Sequence, residues 1–174
     1  MKSGIIFTMK TAMPSIEDIR RYFDYLPSGH LAWKIKPNKR IVVGGLAGCI
    51  TPSGYVQIIF QRVHIGAHRL IWAWHNGDWP KHDIDHVNMD RSDNRIENLR
   101  QATRSQNKYN TAKQVDNTSG YKGVDFHKRR SIWRARISVS GKVLYLGAFN
   151  TSQEAASAYN AAACKYHGEF ARLA

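Results

Sequence analysis

Between Gln101 and Ser119 the apolar periodicity that runs through the rest of the chain stops. The stretch reads Gln106-Asn107-Lys108-Tyr109-Asn110-Thr111 and then Asp116-Asn117-Thr118-Ser119-Gly120, the composition of a connection rather than of an element with a face to bury. A chain of 174 residues interrupted in this way is expected to fold as two small domains. The linker is placed at 111–119, with one domain over 1–110 and another over 120–174. Charge divides in the same place. The chain carries 26 Lys+Arg against 13 Asp+Glu, a formal +13. Residues 1–99 hold 13 and 9 of these, whereas residues 100–174 hold 13 and 4. So large an excess suits a polyanion, because each phosphate met by Lys or Arg releases condensed counterions.

Other classes fit poorly. No apolar run approaches the roughly 18 residues of a membrane span, and Met1-Lys2-Ser3-Gly4-Ile5-Ile6-Phe7 stops short of a signal-peptide core. A basic amphipathic helix that would suit an anionic membrane surface is also missing from the pattern. No membrane partner and no small-molecule cofactor are therefore expected, and a cytoplasmic location is. Cys49 and Cys164 lie far apart without a Cys-x-x-Cys, which argues for buried reduced thiols over a disulfide framework or a zinc cluster.

In the first domain the pattern Ile16, Ile19, Tyr22, Phe23, Leu26 predicts a helix over 15–25 capped by Ser15. Strands are expected at His30–Ile35, Gly45–Ile50 and Tyr55–Phe60. A helix over Ala67–His75 should end at Asn76-Gly77. Trp72, Trp74 and Trp79 read as core. The stretch 82–107 differs in kind. Asp83-Ile84-Asp85-His86-Val87 suits a strand, Asn88 to Asn98 a polar loop, and Leu99–Ala102 a returning strand. Thr103-x-x-Gln106 is a capping box that opens a helix, and Asn107 falls in its first turn. Strand, loop, strand and helix would bring Asp85, His86 and Asn107 together.

This segment resembles the HNH endonuclease motif in its phage and intron-encoded branch, a ββα-metal fold with its core at about 82–110. The resemblance rests on Asp85-His86, eleven residues to Asn98 and eight more to Asn107. The preceding His68-Arg69-Leu70-Ile71-Trp72 and the following Asn98-Leu99-Arg100 and Ala102-Thr103 strengthen it. Asparagine at the last position, where many HNH enzymes have histidine, implies one hard metal ion, Mg²⁺ or Mn²⁺, held by Asp85 and Asn107. Oxygen donors suit such ions. The residue types match phosphodiester hydrolysis, which needs an activated water and charge neutralisation at the phosphate. Imidazole can take a proton at neutral pH, so His86 is the expected general base. Asn98 is expected to pin the loop and orient His86. His64-x-x-x-His68 and His82-x-x-x-His86 have helical zinc-pair spacing but lack the glutamate of a zinc protease.

In the second domain, Trp133, Ala135, Ile137 and Val139 alternate with Arg134, Arg136 and Ser138, giving one core face and one basic face. Across a Ser140-Gly141 turn, Leu144 and Leu146 should point inward, with Val143 and Tyr145 beside the arginines. Thr151-x-x-Glu154 opens a helix that Gly168 ends. Tyr121-Lys122-Gly123-Val124, Trp133-Arg134-Ala135-Arg136-Ile137, Leu146-Gly147-Ala148-Phe149 and Glu154-Ala155-Ala156 resemble the Apetala-type, ethylene-response-factor DNA-binding domain. That resemblance implies a three-stranded antiparallel sheet lying in the major groove of double-stranded DNA. By position it implies DNA contacts from Lys122, Arg134, Arg136 and Tyr145, with Lys128, Arg129 and Arg130 nearer phosphates. Asp125 and His127 stand where plant domains have arginines.

The sequence thus points to an α+β chain: an N-terminal HNH domain with a small antiparallel sheet, then a three-stranded sheet packed on one C-terminal helix. The expected activity is metal-dependent, homing-type DNA cleavage, with one strand cut per site, by a monomer or homodimer. The alternative is a DNA-binding regulator that keeps the HNH region as scaffold. RNA fits less well, since an arginine-lined sheet suits the B-form major groove better than the narrow A-form one.

Overall fold

The computed structural model describes residues 12–113 and 115–174. It is an α+β structure of small antiparallel sheets and four helices, divided into two compact units at the Arg100–Gln101 bond.

In the first unit, Ser15 caps α1 (Ile16–Tyr22) through its side-chain oxygen, which accepts from Asp18 N. The helix is shorter than its apolar pattern suggests. At Phe23 the backbone becomes extended, and β1 (Phe23–Tyr25) pairs antiparallel with β2 (Leu31–Trp33). Phe23 is thereby fully buried against Trp33 and Phe60, so tertiary pairing overrides the helical period. A three-stranded antiparallel sheet follows: β3 (Cys49–Ile50), β4 (Val56–Phe60) and β5 (Val63–Gly66). The turn between β4 and β5 is Gln61-Arg62, both at positive φ, the backbone a tight hairpin requires but not its usual residues. Cys49 is exposed on an edge strand, and Cys164 is exposed on the C-terminal helix. Both are free thiols, but the expectation of burial fails because each lies on the outward side of its element.

Next, α2 (Ala67–Asn76) buries Ala67, Leu70, Ile71 and Ala73 and ends at Gly77 in the left-handed conformation. Leu70 and Ile71 are fully buried, and such side chains each contribute roughly 1.5–3 kcal/mol. The three tryptophans pack on this core as expected. Trp74 donates to the Phe23 carbonyl and Trp79 to the Pro14 carbonyl. The ring of His68, in the first turn of α2, folds over Gly66, where a Cβ would lie 2.5 Å from Cε1. Burial, then the neighbouring His86 and Arg69, hold the His68 pKa down to about 4. After α2 come β6 (Asp83–His86), a short 3-10 turn at Ile96–Asn98, and β7 (Leu99–Ala102), which pairs with β6 and runs across the unit boundary.

The second unit opens with α3 (Arg104–Tyr109), whose capping box is formed reciprocally by Thr103 and Gln106. Tyr109 stacks on His167, ring centroids 3.7 Å apart and nearly parallel, and its hydroxyl accepts from Ser140 N. An antiparallel sheet follows in the order β10 (Lys142–Phe149), β9 (Ile132–Val139), β8 (Val124–His127). It packs on α4 (Ser152–His167), again opened by a capping box, Thr151 with Glu154. Buried Ala155, Ala156, Ala162 and Ala163 let the helix approach the sheet closely. Gly123 shows how closely. At φ +71, a Cβ there would lie 2.3 Å from Tyr159 Cδ2 and 2.6 Å from the Arg136 carbonyl oxygen.

Two consequences are measurable. Gly123→Ala must relieve a backbone clash and a left-handed φ together, and should destabilise the second unit by about 2 kcal/mol or more in denaturant unfolding. For His68, the unfolded chain takes up a proton below the ordinary 6.5 while the folded chain does so only near 4. Its stabilising contribution is therefore full above 6.5 and lost as pH falls toward 4, by on the order of 3 kcal/mol. His68→Gln should flatten that part of the stability-against-pH curve relative to the parent.

Candidate nuclease centre and nucleic-acid face

The strand β6 places Ile84, Asp85 and His86 in succession, all buried. Two polar side chains at such depth must be paired. Asp85, 6% exposed, receives Arg100 from β7. Arg100 Nε and Nη2 lie 3.0 and 2.8 Å from Asp85 Oδ2. Arg100 is thus spent on orienting this carboxylate.

His86 lies 3.0 Å, through Nε2, from Oδ1 of Asn94, a residue 1% exposed. Asn94 Nδ2 donates to the Ser92 carbonyl, which fixes the amide with its oxygen toward the imidazole. An amide oxygen only accepts, so Nε2 carries the hydrogen and neutral His86 has its lone pair on Nδ1. On the other side, His86 meets the His68 ring edge to face at 5.4 Å, and Tyr55 closes the group at 5.5 Å from His68 and 5.9 Å from His86. Arg91 lies over Tyr55.

The loop from Asn88 to Asn98 is closed by Asn98. Its Oδ1 accepts from Asn88 N at 3.0 Å, and its Nδ2 donates to Asn88 Oδ1 and to the Asp93 carbonyl at 2.9 and 2.7 Å. Val87 N also donates to the Asn98 carbonyl. Asn98 holds the loop, while the residue bonded to His86 is Asn94. Sequence reading missed Asn94 because an asparagine in a polar loop looks like ordinary turn chemistry. Within the loop, the Arg95 guanidinium holds the Asp93 carboxyl well below the usual range. Arg69 reaches toward the Pro80 and His82 carbonyls and so braces the approach to β6.

Asn107 belongs to the second unit, in the first turn of α3, its N–H closing on the Thr103 carbonyl. Among the described residues no three His, Cys, Asp or Glu side chains cluster as a metal cage. Within the first unit, the buried Asp85 carboxylate is an oxygen donor of the kind hard divalent cations take.

The sheet of the second unit has the two faces its alternation implies. Ala135 and Ile137 are buried, whereas Arg136, Ser138, Val143 and Tyr145 are exposed. Tyr145 lies opposite Arg136. Lys128, Arg129 and Arg130 form an exposed 3-10 turn at the sheet's end. Lys122 has a different surrounding. Its ammonium donates to the Tyr109 and Thr111 carbonyls at 2.6 and 2.7 Å, and burial, then Arg172, lowers its pKa to about 8. It straps the segment after α3 onto the sheet. Asp125, opposite Arg134 in the β8–β9 register, accepts from both Arg134 and Arg136.

Comparison with known proteins agrees with both halves. Residues 66–109 match the family model of an HNH endonuclease, and residues 119–169 match that of the AP2 domain. The HNH match begins at Gly66, the glycine beneath the His68 ring. The chain is 32% identical over 107 residues to Protein 3.8 of Escherichia phage T7, an alignment covering 61% of this chain and 88% of the phage protein. It is 54% identical over 52 residues to the AP2-like ethylene-responsive transcription factor CRL5 of Oryza sativa subsp. japonica, across 29% of this chain and 8% of that factor. With the AP2-like ethylene-responsive transcription factor TOE2 of Arabidopsis thaliana it shares 45% over 51 residues, 29% of this chain and 10% of that protein. The likeness to the plant factors is thus confined to one domain of each. The chain belongs to the family of phage T7 Protein 3.8, with an HNH endonuclease motif and an AP2 domain in one polypeptide.

Proposed function

We propose that the protein is a metal-dependent DNA endonuclease in which the HNH centre hydrolyses a phosphodiester and the AP2 domain holds the duplex. The observation that carries this reading is the buried pairing of His86 Nε2 with Asn94 Oδ1 at 3.0 Å. A buried imidazole whose Nε2–H is bound by Asn94 presents Nδ1 as the basic nitrogen, in the state a general base needs before it meets water.

His86 takes the proton of the attacking water at Nδ1, and the Asn94 oxygen stabilises the imidazolium that results. Asp85, held by Arg100, and Asn107 are the residues that would hold Mg²⁺ or Mn²⁺. When bound, that ion supplies charge neutralisation at the phosphate and the leaving 3′-oxygen. The ring of His68 stays neutral at physiological pH, since its pKa is about 4. It therefore adds no second positive charge that would oppose protonation of His86. Asn98 keeps the loop closed, so that Asn94 stays in register with the base. One such centre per chain cuts one strand, making a nick the direct product.

On the AP2 side, Arg134, Arg136 and Tyr145 face the major groove, where arginine can donate two hydrogen bonds to guanine O6 and N7. Lys128, Arg129 and Arg130 meet phosphates. Lys122 serves the same interface indirectly, by fixing the strap beneath it. The functional division follows the sequence: nuclease module over 1–110, connection over 111–119, DNA-binding module over 120–174.

Supercoiled plasmid incubated with protein and Mg²⁺ should be nicked. His86→Ala should slow this by about 10²-fold or more, and undiminished cutting by that variant would overturn the assignment. Asp85→Ala should abolish cutting yet leave duplex binding in EDTA intact, whereas reversing Arg134 and Arg136 to glutamate should weaken binding first. Asn94→Ala, which leaves the base without its orienting acceptor, should cost roughly 10–100-fold in nicking rate with DNA affinity unchanged.

A further inference from the structure

The basic face of the sheet has an acid at its centre. Asp125 stands opposite Arg134 across β8 and β9, and Arg136 is two residues along on the same face. Two guanidinium groups so placed repel each other, and the carboxylate between them removes that repulsion. Partial burial would raise the Asp125 pKa, but the hydrogen bond from Arg134 and the charges of Arg136 and Arg134 hold it below the ordinary value. The group is therefore ionised at neutral pH.

The contact geometry is specific. Arg134 gives Nε and Nη2 to Asp125 Oδ2, with Nε at 3.0 Å. Arg136 gives Nε and Nη2 to Oδ1, at 3.1 and 2.8 Å. Each arginine thus uses the same edge of its guanidinium, and each keeps the terminal Nη1/Nη2 end. That end is a planar pair of donors matched to guanine O6 and N7. An arginine free in solvent would have to lose rotamer freedom to reach such a pose. Here one carboxylate fixes both.

We propose that Asp125 is a specificity-determining residue: it pre-orients Arg134 and Arg136 as two guanine-reading forks and withholds them from phosphates. This rests on the reading of the sheet as the DNA-binding face. The consequence is a trade between affinity and selectivity. An acid in a DNA interface weakens binding to any duplex, but it weakens indiscriminate phosphate contact more than end-on contact with guanine. Loss of the acid frees both arginines to meet phosphates, which raises sequence-independent binding and its dependence on salt. The duplex preferred by the protein should contain two guanines close together.

The test uses the full chain in EDTA, so that binding is read without cleavage. A randomised duplex pool first gives the preferred sequence. Affinity for that duplex, for a scrambled duplex and for the preferred duplex carrying 7-deazaguanine is then measured across a salt series. The parent protein should lose about tenfold or more on 7-deazaguanine, which lacks the N7 acceptor. Asp125→Ala should bind the scrambled duplex several-fold tighter, with a log–log salt slope steeper by about one, and should lose most of the 7-deazaguanine penalty. Asp125→Asn, equal in size and uncharged, should move the same way and serves if the alanine variant fails to fold. The proposal is overturned if both variants keep the parent's sequence preference and salt slope while Arg134→Ala and Arg136→Ala lose affinity. If the arginine variants themselves bind like the parent, the fault lies in the choice of DNA-binding face.

Discussion

Asn98 makes three side-chain hydrogen bonds from a position only 6% exposed, and the HNH region depends on them. A long polar loop cannot bury itself, because every backbone N–H and C=O withdrawn from water needs a partner. Asn98 supplies those partners at the loop's two ends. With the ends closed, Asn94 can reach full burial against His86, and the imidazole gains a defined tautomer. The order of dependence is therefore loop closure, then amide placement, then the proton on Nε2. The apolar core of α2 and the β3–β4–β5 sheet supports the strand that carries His86, and the orientation of its ring is set by asparagines.

The second unit meets a different constraint, the thinness of its core. A single helix lined with alanine lies on a three-stranded sheet, so little apolar area is available and fit must make up for it. Gly123 and Tyr159 show the tolerance, since a methyl group at Gly123 would overlap a ring and a carbonyl. The Lys122 strap and the Tyr109–His167 stack add cover along one side. His167 donates from Nε2 to the Ser138 carbonyl, which joins the end of α4, the central strand and the last residue of α3 through one imidazole. Residues that composition marks as a connection are in this way drawn into the packing of the unit.

Features governed by local physics were legible in the sequence. Both capping boxes form as their spacing requires, and the Trp133–Val139 alternation divides the sheet into an apolar and a basic face. Gly77 ends α2 where Asn76-Gly77 marks it. Features decided by contacts distant in sequence were not legible. The α1 period continues through Phe23 and Leu26, but the chain turns extended at Phe23, which pairing with Leu31–Trp33 leaves fully buried. The Gln61-Arg62 hairpin has positive φ without glycine or asparagine, so no residue type announces it. In the candidate site, Asp85, His86 and Asn98 were visible from type and spacing. Asn94 and the pairing of Arg100 with Asp85 were hidden, because a loop asparagine and a strand arginine each have many commoner uses.

The basic excess that first suggested a polyanionic partner now has an internal organisation, and the acids provide it. Asp85 holds Arg100, Asp93 holds Arg95, and Asp125 holds Arg134 and Arg136. A long cationic side chain left in solvent is a mobile charge that attracts any phosphate equally. The same side chain fixed by a carboxylate has a direction, and direction is what separates recognition from mere attraction. In a chain with 13 acidic residues against 26 basic ones, each such pairing gives up attraction that would otherwise favour any nucleic acid. These three pairings lie on the strand that carries His86, in the loop that orients it, and on the face proposed to read bases; a further, exposed pair, Lys34 with Asp24, lies at β1. Lys128, Arg129 and Arg130 lie exposed in a 3-10 turn at the end of the sheet, where long cationic side chains suit general attraction to the phosphate backbone.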